Sequence, residues 1–160
     1  MATLTDVVQF RMGGELYAMD IYIAREIVEM IPITPIPRSP SYISGIINLR
    51  GEITNIVNLN ELLGLPVNNA VAQGNQKIIV LMADAVGGSN IGIIVDDVQS
   101  VIQVDETEVE KIGEGLTSDI NEYVKGIIKT YEEGDDKKGV LVIWIDMQKI
   151  LEMIVTKSSG

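Results

Sequence analysis

Gly45-Ile46-Ile47-Asn48-Leu49-Arg50-Gly51-Glu52-Ile53-Thr54-Asn55-Ile56-Val57-Asn58-Leu59 holds two strand-like patterns that meet at a turn carrying one fixed charge. Ile47 and Leu49 alternate with Asn48 and Arg50, and beyond Gly51 the residues Ile53, Val57 and Leu59 share one parity. That period of two predicts a half-buried hairpin with Arg50 beside its turn. Asn58 then suits a helix cap with Glu61 three residues on. Leu59, Leu62 and Leu63 supply the apolar face of a short helix, and Gly64 with Pro66 ends it.

The string GIINLRGEITNIVNLNELLG resembles the signature of the bacterial chemotaxis coupling proteins, the CheW-like family, in which a strand ending Asn-Leu-Arg-Gly leads to a second strand and a short helix. The similarity runs from Val8 to Leu151. Asn55 stands where the family commonly has Pro, and Asn58 where it commonly has Asp; Asn also caps helices.

A chain of 160 residues suits one domain and can bury roughly 70% of the surface its unfolded form exposes. There is no Cys and no His, which removes thiol nucleophiles, zinc-finger spacings and His-based triads together. With 23 acidic and 12 basic residues the net charge is −11, so a nucleic-acid backbone or an anionic membrane surface repels the chain. The N-terminus lacks the basic and apolar regions of a signal peptide. The longest apolar run, Ile78 to Ala83, is far short of the roughly 20 residues of a membrane helix. A soluble, cytoplasmic protein is expected, with no cofactor and no metal.

Along the chain, Val7 to Phe10 and Leu16 to Ile23 read as strands around Gly13-Gly14. Ile23, Ala24 and Ile27 recur at near-helical spacing for about one turn, which would point Arg25, Glu26 and Glu29 away from that patch. Four prolines fall between Pro32 and Pro40, a stiff extended stretch that is either a linker or a strap over one domain. The interleaved Ile33 and Ile36 favour the strap. Ser39-Pro40 looks like a helix cap and first position, with Gly45 as the stop.

The second half repeats the plan. Ile78 to Met82, a turn at Gly87-Gly88 and Ile91 to Val95 echo the first hairpin, and Val98, Val101 and Ile102 echo the apolar turn. Gly126-Ile127-Ile128 echoes Gly45-Ile46-Ile47; Glu132 to Gly139 replaces the Arg50-Gly51 turn. Val140 to Ile145 then leads to Asp146, a cap for a helix bearing Met147, Ile150, Leu151 and Ile154. Two units of short strands are the economical interpretation. Val67 to Lys77 reads as a polar surface loop, and Thr156 to Gly160 as a fraying tail.

The resemblance implies an all-β fold of two packed five-stranded SH3-like barrels with short helices, one domain over 1–160 with subdomains at roughly 10–66 and 76–152 and elements open to exchange between them. It also implies a non-enzymatic adaptor joining the signalling tip of transmembrane chemoreceptors to the regulatory domain of the histidine kinase CheA, recruited to receptor arrays at the inner face of the membrane. Carried over residue by residue, the receptor groove comprises Ala24, Glu26, Gly45, Arg50, Val98 and Val101. Glu26 pairs with Arg50 in this reading, and the kinase is met through barrel ends. Four of these residues have a plainer reading: Arg50 as a donor to turn carbonyls, and Ala24, Val98 and Val101 as ordinary core.

Competing with the adaptor is a small-molecule-binding or hydrolytic β-barrel using carboxylates such as Asp96, Asp97, Glu106, Glu108 and Glu110, which predicts a concave pocket with converging acids. A third reading makes the chain the regulatory end of a larger kinase, against which Met1 and the two-unit plan argue. Gly113-Glu114-Gly115 lacks the strand and helix context of a phosphate loop.

Overall fold

The computed structural model describes residues 4–64, 76–82, 90–110, 123–131 and 139–158. In chain order these form β1 (Leu4–Met12), β2 (Glu15–Asp20), β3 (Ala24–Glu29), β4 (Ile43–Leu49), β5 (Glu52–Val57), α1 (Leu59–Leu63), β6 (Lys77–Leu81), β7 (Ile91–Val95), β8 (Asp97–Asp105), β9 (Val124–Tyr131), β10 (Gly139–Ile145) and α2 (Met147–Ser158). Five strands and a capped helix thus occur twice. Glu61 N–H donates to Asn58 Oδ1 and Lys149 N–H to Asp146 Oδ1, each at 3.2 Å, so the two helices start in the same way.

The strands make two five-stranded sheets, ordered β3-β6-β7-β5-β4 and β8-β1-β2-β10-β9. Each contains the third, fifth and fourth strands of one repeat and the opening hairpin of the other, so the repeats exchange their first two strands. Each sheet is closed into a barrel by the chain beyond its first strand. Thr34 and Ile46 trade N–H and C=O at 2.9 Å in barrel 1, and Glu110 and Ile127 do so at 3.1 and 2.6 Å in barrel 2. The proline-rich stretch is therefore a strap over barrel 1.

Close approach of these closing segments requires glycine. A Cβ on Gly45 would lie 2.3 Å from the Thr34 carbonyl oxygen, and one on Gly126 would lie 2.3 Å from Val109 Cγ1. The expected helix after Ser39-Pro40 does not form. Two turns lead directly into β4, and Gly45 sits inside that strand at a bulge instead of ending a helix.

Three buried clusters hold the body together. Val7, Leu16, Ala18, Val104, Ile128, Val142 and Trp144 fill barrel 2, and Ile47, Ile56, Ile78 and Val80 fill barrel 1. The largest lies between the barrels, with Val8, Phe10 and Met19 from one and Ile79, Leu81 and Ile93 from the other, joined by Leu59 of α1 and Met147, Ile150, Leu151 and Ile154 of α2. At roughly 1.5–3 kcal/mol per buried aliphatic or aromatic side chain, this shared core makes the two barrels one body. It also corrects the expected hairpin pattern. Thr54 and Ile56 face into barrel 1 and Val57 into the shared core, while Ile53 is 56% exposed.

Candidate functional site

A bulge decides what β3 presents. Ala24 pairs with Leu81, Arg25 is the extra residue, and then Glu26, Ile27 and Val28 pair with Val80, Ile79 and Ile78. Residues directly opposite in a ladder share a face. Ala24 and Ile27 therefore lie with Leu81 and Ile79 on the shared-core face, whereas Glu26 and Val28 turn with Val80 and Ile78 toward the barrel interior. The expected helical turn is thus a 3-10 turn, Ile21–Ile23, followed by a bulged strand.

β8 repeats this. Val98 pairs with Phe10, Ser100 with Gln9, and Val101 with Val8, so Val98 and Val101 also lie on the shared-core face. Ala24 and Val98 are half-buried against the shared core, while Ile27 and Val101 stand 41% and 56% exposed. The two edge strands thus flank the interbarrel core with matching apolar pairs. Ile27, the counterpart of Val101, was missed from sequence; the signal that could have found it is the repeat itself.

Glu26 and Arg50 meet. Arg50 Nη1 donates to Glu26 Oε1 at 3.0 Å and Nη2 donates to Oε2, a two-pronged pairing that fixes the guanidinium plane. Beside it Arg25 Nη1 contacts Glu52 Oε2 at 3.5 Å, so two adjacent ion pairs of opposite polarity tie β3 to the β4–β5 hairpin. The Arg50 side chain is 65% exposed against 19% for Glu26. A pair so open to water stabilises the fold by about 0–1 kcal/mol, and its main effect is to orient Arg50 outward. The turn-carbonyl reading of Arg50 is not what the structure shows.

Arg50 has φ +53° and Gly51 φ +83°, as a tight two-residue hairpin turn with a type I′ twist demands. Asn48 Oδ1 accepts from Gly51 N–H at 2.9 Å. Gly45 is buried, and the backbone that its missing side chain admits is the chain's own Thr34. The presence of Asn55 where the family commonly has Pro also has a local consequence: its N–H donates to the Asn90 carbonyl at 2.9 Å, a bond Pro could not make.

Of the five candidate carboxylates, Glu108 lines a cavity, while Glu110 Oε1 lies 2.7 Å from Lys129 Nζ and Asp96 is held at a turn. Asp96 Oδ2 accepts from Gly13 N–H at 2.7 Å and Asp105 Oδ1 from Thr107 N–H at 3.0 Å, so both serve turns. That cavity, of about 350 Å³, opens at the seam of barrel 2, lined by Ile102, Val104, Val109 and Ile128 with Asp105, Glu108 and Lys129 among its polar residues. No group of three or more potential metal ligands occurs among the described residues. Sequence reading also missed Asp20, only 4% exposed. It accepts from Trp144 Nε1 at 2.7 Å and from Lys125 Nζ at 2.8 Å.

The twofold strand plan, the interbarrel face and the Glu26–Arg50 pair can be set beside known proteins. The CheW-like domain model matches residues 6–155. The chain belongs to the CheW-like family. The family's chemotaxis protein CheW from Thermotoga maritima is 31% identical over 98% of both chains. That from Treponema pallidum is 34% identical over 77% of this chain and 72% of its own. The crystal structure of the scaffolding protein TtCheW from Thermoanaerobacter tengcongensis superposes with a TM-score of 0.72 at 34% identity, covering 91% of this chain and 86% of that one. The protein is accordingly a non-enzymatic chemotaxis adaptor of the CheW-like fold, with a general role in coupling receptors to a kinase. No helix among the described residues is long and apolar enough to cross a membrane.

Proposed function

We propose that the face between β3 and β8 receives the helical signalling tip of a transmembrane chemoreceptor, and that separate barrel ends meet the regulatory domain of the histidine kinase CheA. The observation that carries this reading is the register: Ala24 and Ile27 on β3, and Val98 and Val101 on β8, each turn toward the interbarrel core, and Glu26 on β3 holds Arg50 of the β4–β5 turn beside the first pair. An amphipathic helix offers apolar residues three and four apart to such a strip and polar groups to its rim. Arg50 uses two guanidinium nitrogens on Glu26 and turns the rest of its donor fork outward. Gly45 contributes indirectly, by letting the strap close the barrel behind β4.

The mechanism is binding without chemistry. Two surfaces on one stiff body hold two partners in fixed mutual orientation, and receptor state biases the kinase only where the contacts differ between states. Micromolar contacts, about −8 kcal/mol each, suffice once an array at the cytoplasmic face of the membrane makes them multivalent. The carboxylate-barrel alternative gains no support, because Asp96 is committed to a turn and Glu110 to Lys129.

Co-sedimentation with a receptor signalling fragment and with the kinase tests the reading. Arg50→Glu places a second acid against Glu26 and is expected to weaken receptor binding by about tenfold or more while leaving kinase binding intact. Wild type that sediments with neither partner overturns the adaptor assignment, and Arg50→Glu binding the receptor like wild type overturns the site.

A further inference from the structure

Asp20 breaks a local rule. It precedes the 3-10 turn Ile21–Ile23 at the position where an aspartate normally accepts an N–H from the turn it opens, yet its side chain makes no such bond. The carboxylate instead reaches back into barrel 2. One oxygen takes the buried Trp144 indole N–H at 2.7 Å and the other the Lys125 ammonium at 2.8 Å, and that ammonium lies 5.1 Å from the centroid of the Trp144 ring. Three strands, β2, β9 and β10, are joined at one side chain.

The place where this happens matters. The parallel ladder between β2 and β10 stops at Ala18 opposite Trp144, two residues short of Asp20. Immediately afterwards the chain leaves barrel 2, crosses over Ile21–Ile23 and enters barrel 1 as β3, so Asp20 is the last point at which barrel 2 holds it. Six residues later comes Glu26. The corresponding crossover in the second repeat, from β7 to β8, is pinned by Asp96, whose N–H donates to the Arg11 carbonyl and whose carboxylate accepts from Gly13 N–H, both near 2.8 Å. Both crossovers are therefore anchored by an aspartate, but only the first leads to the strand bearing Glu26.

We propose that Asp20, clasped by Trp144 and Lys125, is a positioning residue for β3: it fixes where the strand enters barrel 1 and hence how Glu26 and Ala24 are presented. The proposal rests on the reading of β3 as one wall of the receptor site. Its chemistry is specific. Asn at position 20 still accepts from the indole but offers Lys125 no countercharge, Met at position 125 removes the cation, and Arg at position 125 restores a charged donor to the carboxylate.

Backbone hydrogen exchange on the full chain, followed by co-sedimentation with the receptor fragment and the kinase regulatory domain, tests it. In Asp20→Asn and Lys125→Met the amides from Tyr22 to Glu26 are expected to exchange about tenfold faster while those of β9 and β10 stay within about twofold of wild type. Receptor binding weakens by about three- to tenfold with kinase binding unchanged, and Lys125→Arg recovers most of both losses. Fluorescence of Trp144, the sole tryptophan, checks that each variant is folded, and Lys125→Met carries the test should Asp20→Asn not fold. Acceleration spread equally over β9 and β10, or receptor binding equal to wild type in both variants, overturns the proposal. Arg50→Glu run alongside separates the two failures: if it alone loses the receptor, the clasp is wrong and the groove stands, whereas if it too binds like wild type, groove and clasp fall together.

Discussion

Barrel 1 and barrel 2 share a strand plan, a closing bridge, a close-approach glycine and a helix cap, yet differ wherever a residue lies outside that common frame. In barrel 1 the fourth and fifth strands meet in the two-residue turn Arg50-Gly51, and Arg50 reaches Glu26. In barrel 2 the equivalent connection spans residues 132–138, and the register position matching Glu26 is Ser100. Barrel 2 in turn holds Asp20, Lys125 and Trp144 at its edge. What recurs is needed to fold a closed barrel, and what does not recur marks where each barrel has been given separate work.

The deepest shared feature should also show the largest asymmetry when tested. At Gly45 an added Cβ would lie 2.3 Å from a backbone carbonyl and φ is +146°; at Gly126 the nearest atom is the Val109 side chain, the backbone carbonyl of Glu110 lies farther off at 2.9 Å, and no left-handed φ is present. Overpacking costs about 1–3 kcal/mol, and backbone strain adds about 1–3 kcal/mol. Gly45→Ala is therefore expected to lose about 3 kcal/mol or more and Gly126→Ala about 2 kcal/mol, read from urea unfolding followed by Trp144 fluorescence. Equal losses would mean that the two closures are mechanically alike, and the distinction drawn from φ would be wrong.

The turn of barrel 1 offers a sharper test, because it separates folding from function at one residue. A left-handed conformation costs a residue with a Cβ about 1 kcal/mol, and Arg50 bears it at φ +53°. Both Arg50→Ala and Arg50→Gly remove the guanidinium, so both should lose receptor binding. Arg50→Gly is expected to be the more stable by about 1 kcal/mol, measured as a difference in urea midpoints at equal slope. If the alanine variant is as stable as the glycine variant, the turn stores no strain and Arg50 is not held there at the fold's expense.

Much of this could be read from residues alone, and the failures are physically instructive. The repeat was legible because Gly45 and Gly126 each precede an Ile-Ile pair and Asn58 and Asp146 each precede an apolar helix. The apolar triplets at Ala24 and Val98 were misread as helical turns because a bulge inserts one residue and leaves i and i+3 on one face of a strand, which imitates helical spacing. Exchange of the opening hairpins lies in long-range pairings that no local pattern encodes. Glu26 was tied to Arg50 only through family resemblance, since the residues are 24 apart in sequence. Asp20 was missed because it sits where an ordinary cap would, and nothing local reveals that its carboxylate points elsewhere.

Alkaline titration should bear on barrel 2 through two groups, Lys125 and Tyr17. Burial works to lower the Lys125 pKa, but its hydrogen bond to Asp20 and the fields of Asp20, Asp146 and Tyr22 outweigh this, and the net shift is upward from 10.5. Tyr17 on β2 is raised from 10.0 by burial and then by Glu15. A raised pKa contributes stability that is complete below the unfolded value and is lost as pH rises through the folded one. Stability is therefore expected to be flat with respect to both groups at neutral pH and to fall above about pH 10, with a shallower fall in Lys125→Met. An unchanged alkaline limb in that variant would assign the loss to Tyr17.

The smallest contrast lies in the caps. Asp146 opens the 12-residue α2, which buries Met147, Ile150, Leu151 and Ile154, whereas Asn58 opens the five-residue α1, of which only Leu59 is buried. Replacing either cap by alanine removes one acceptor, worth about 1 kcal/mol, but a carboxylate also meets the positive end of a helix, and that gain of about 0.3–1 kcal/mol needs a helix long enough to have one. Asp146→Asn should thus lose a few tenths of a kcal/mol, while Asn58→Asp should gain less, because α1 is barely more than one turn and the chain already carries a net charge of −11. Equal and opposite shifts in urea midpoint would show that helix length is irrelevant here and that the two caps are interchangeable.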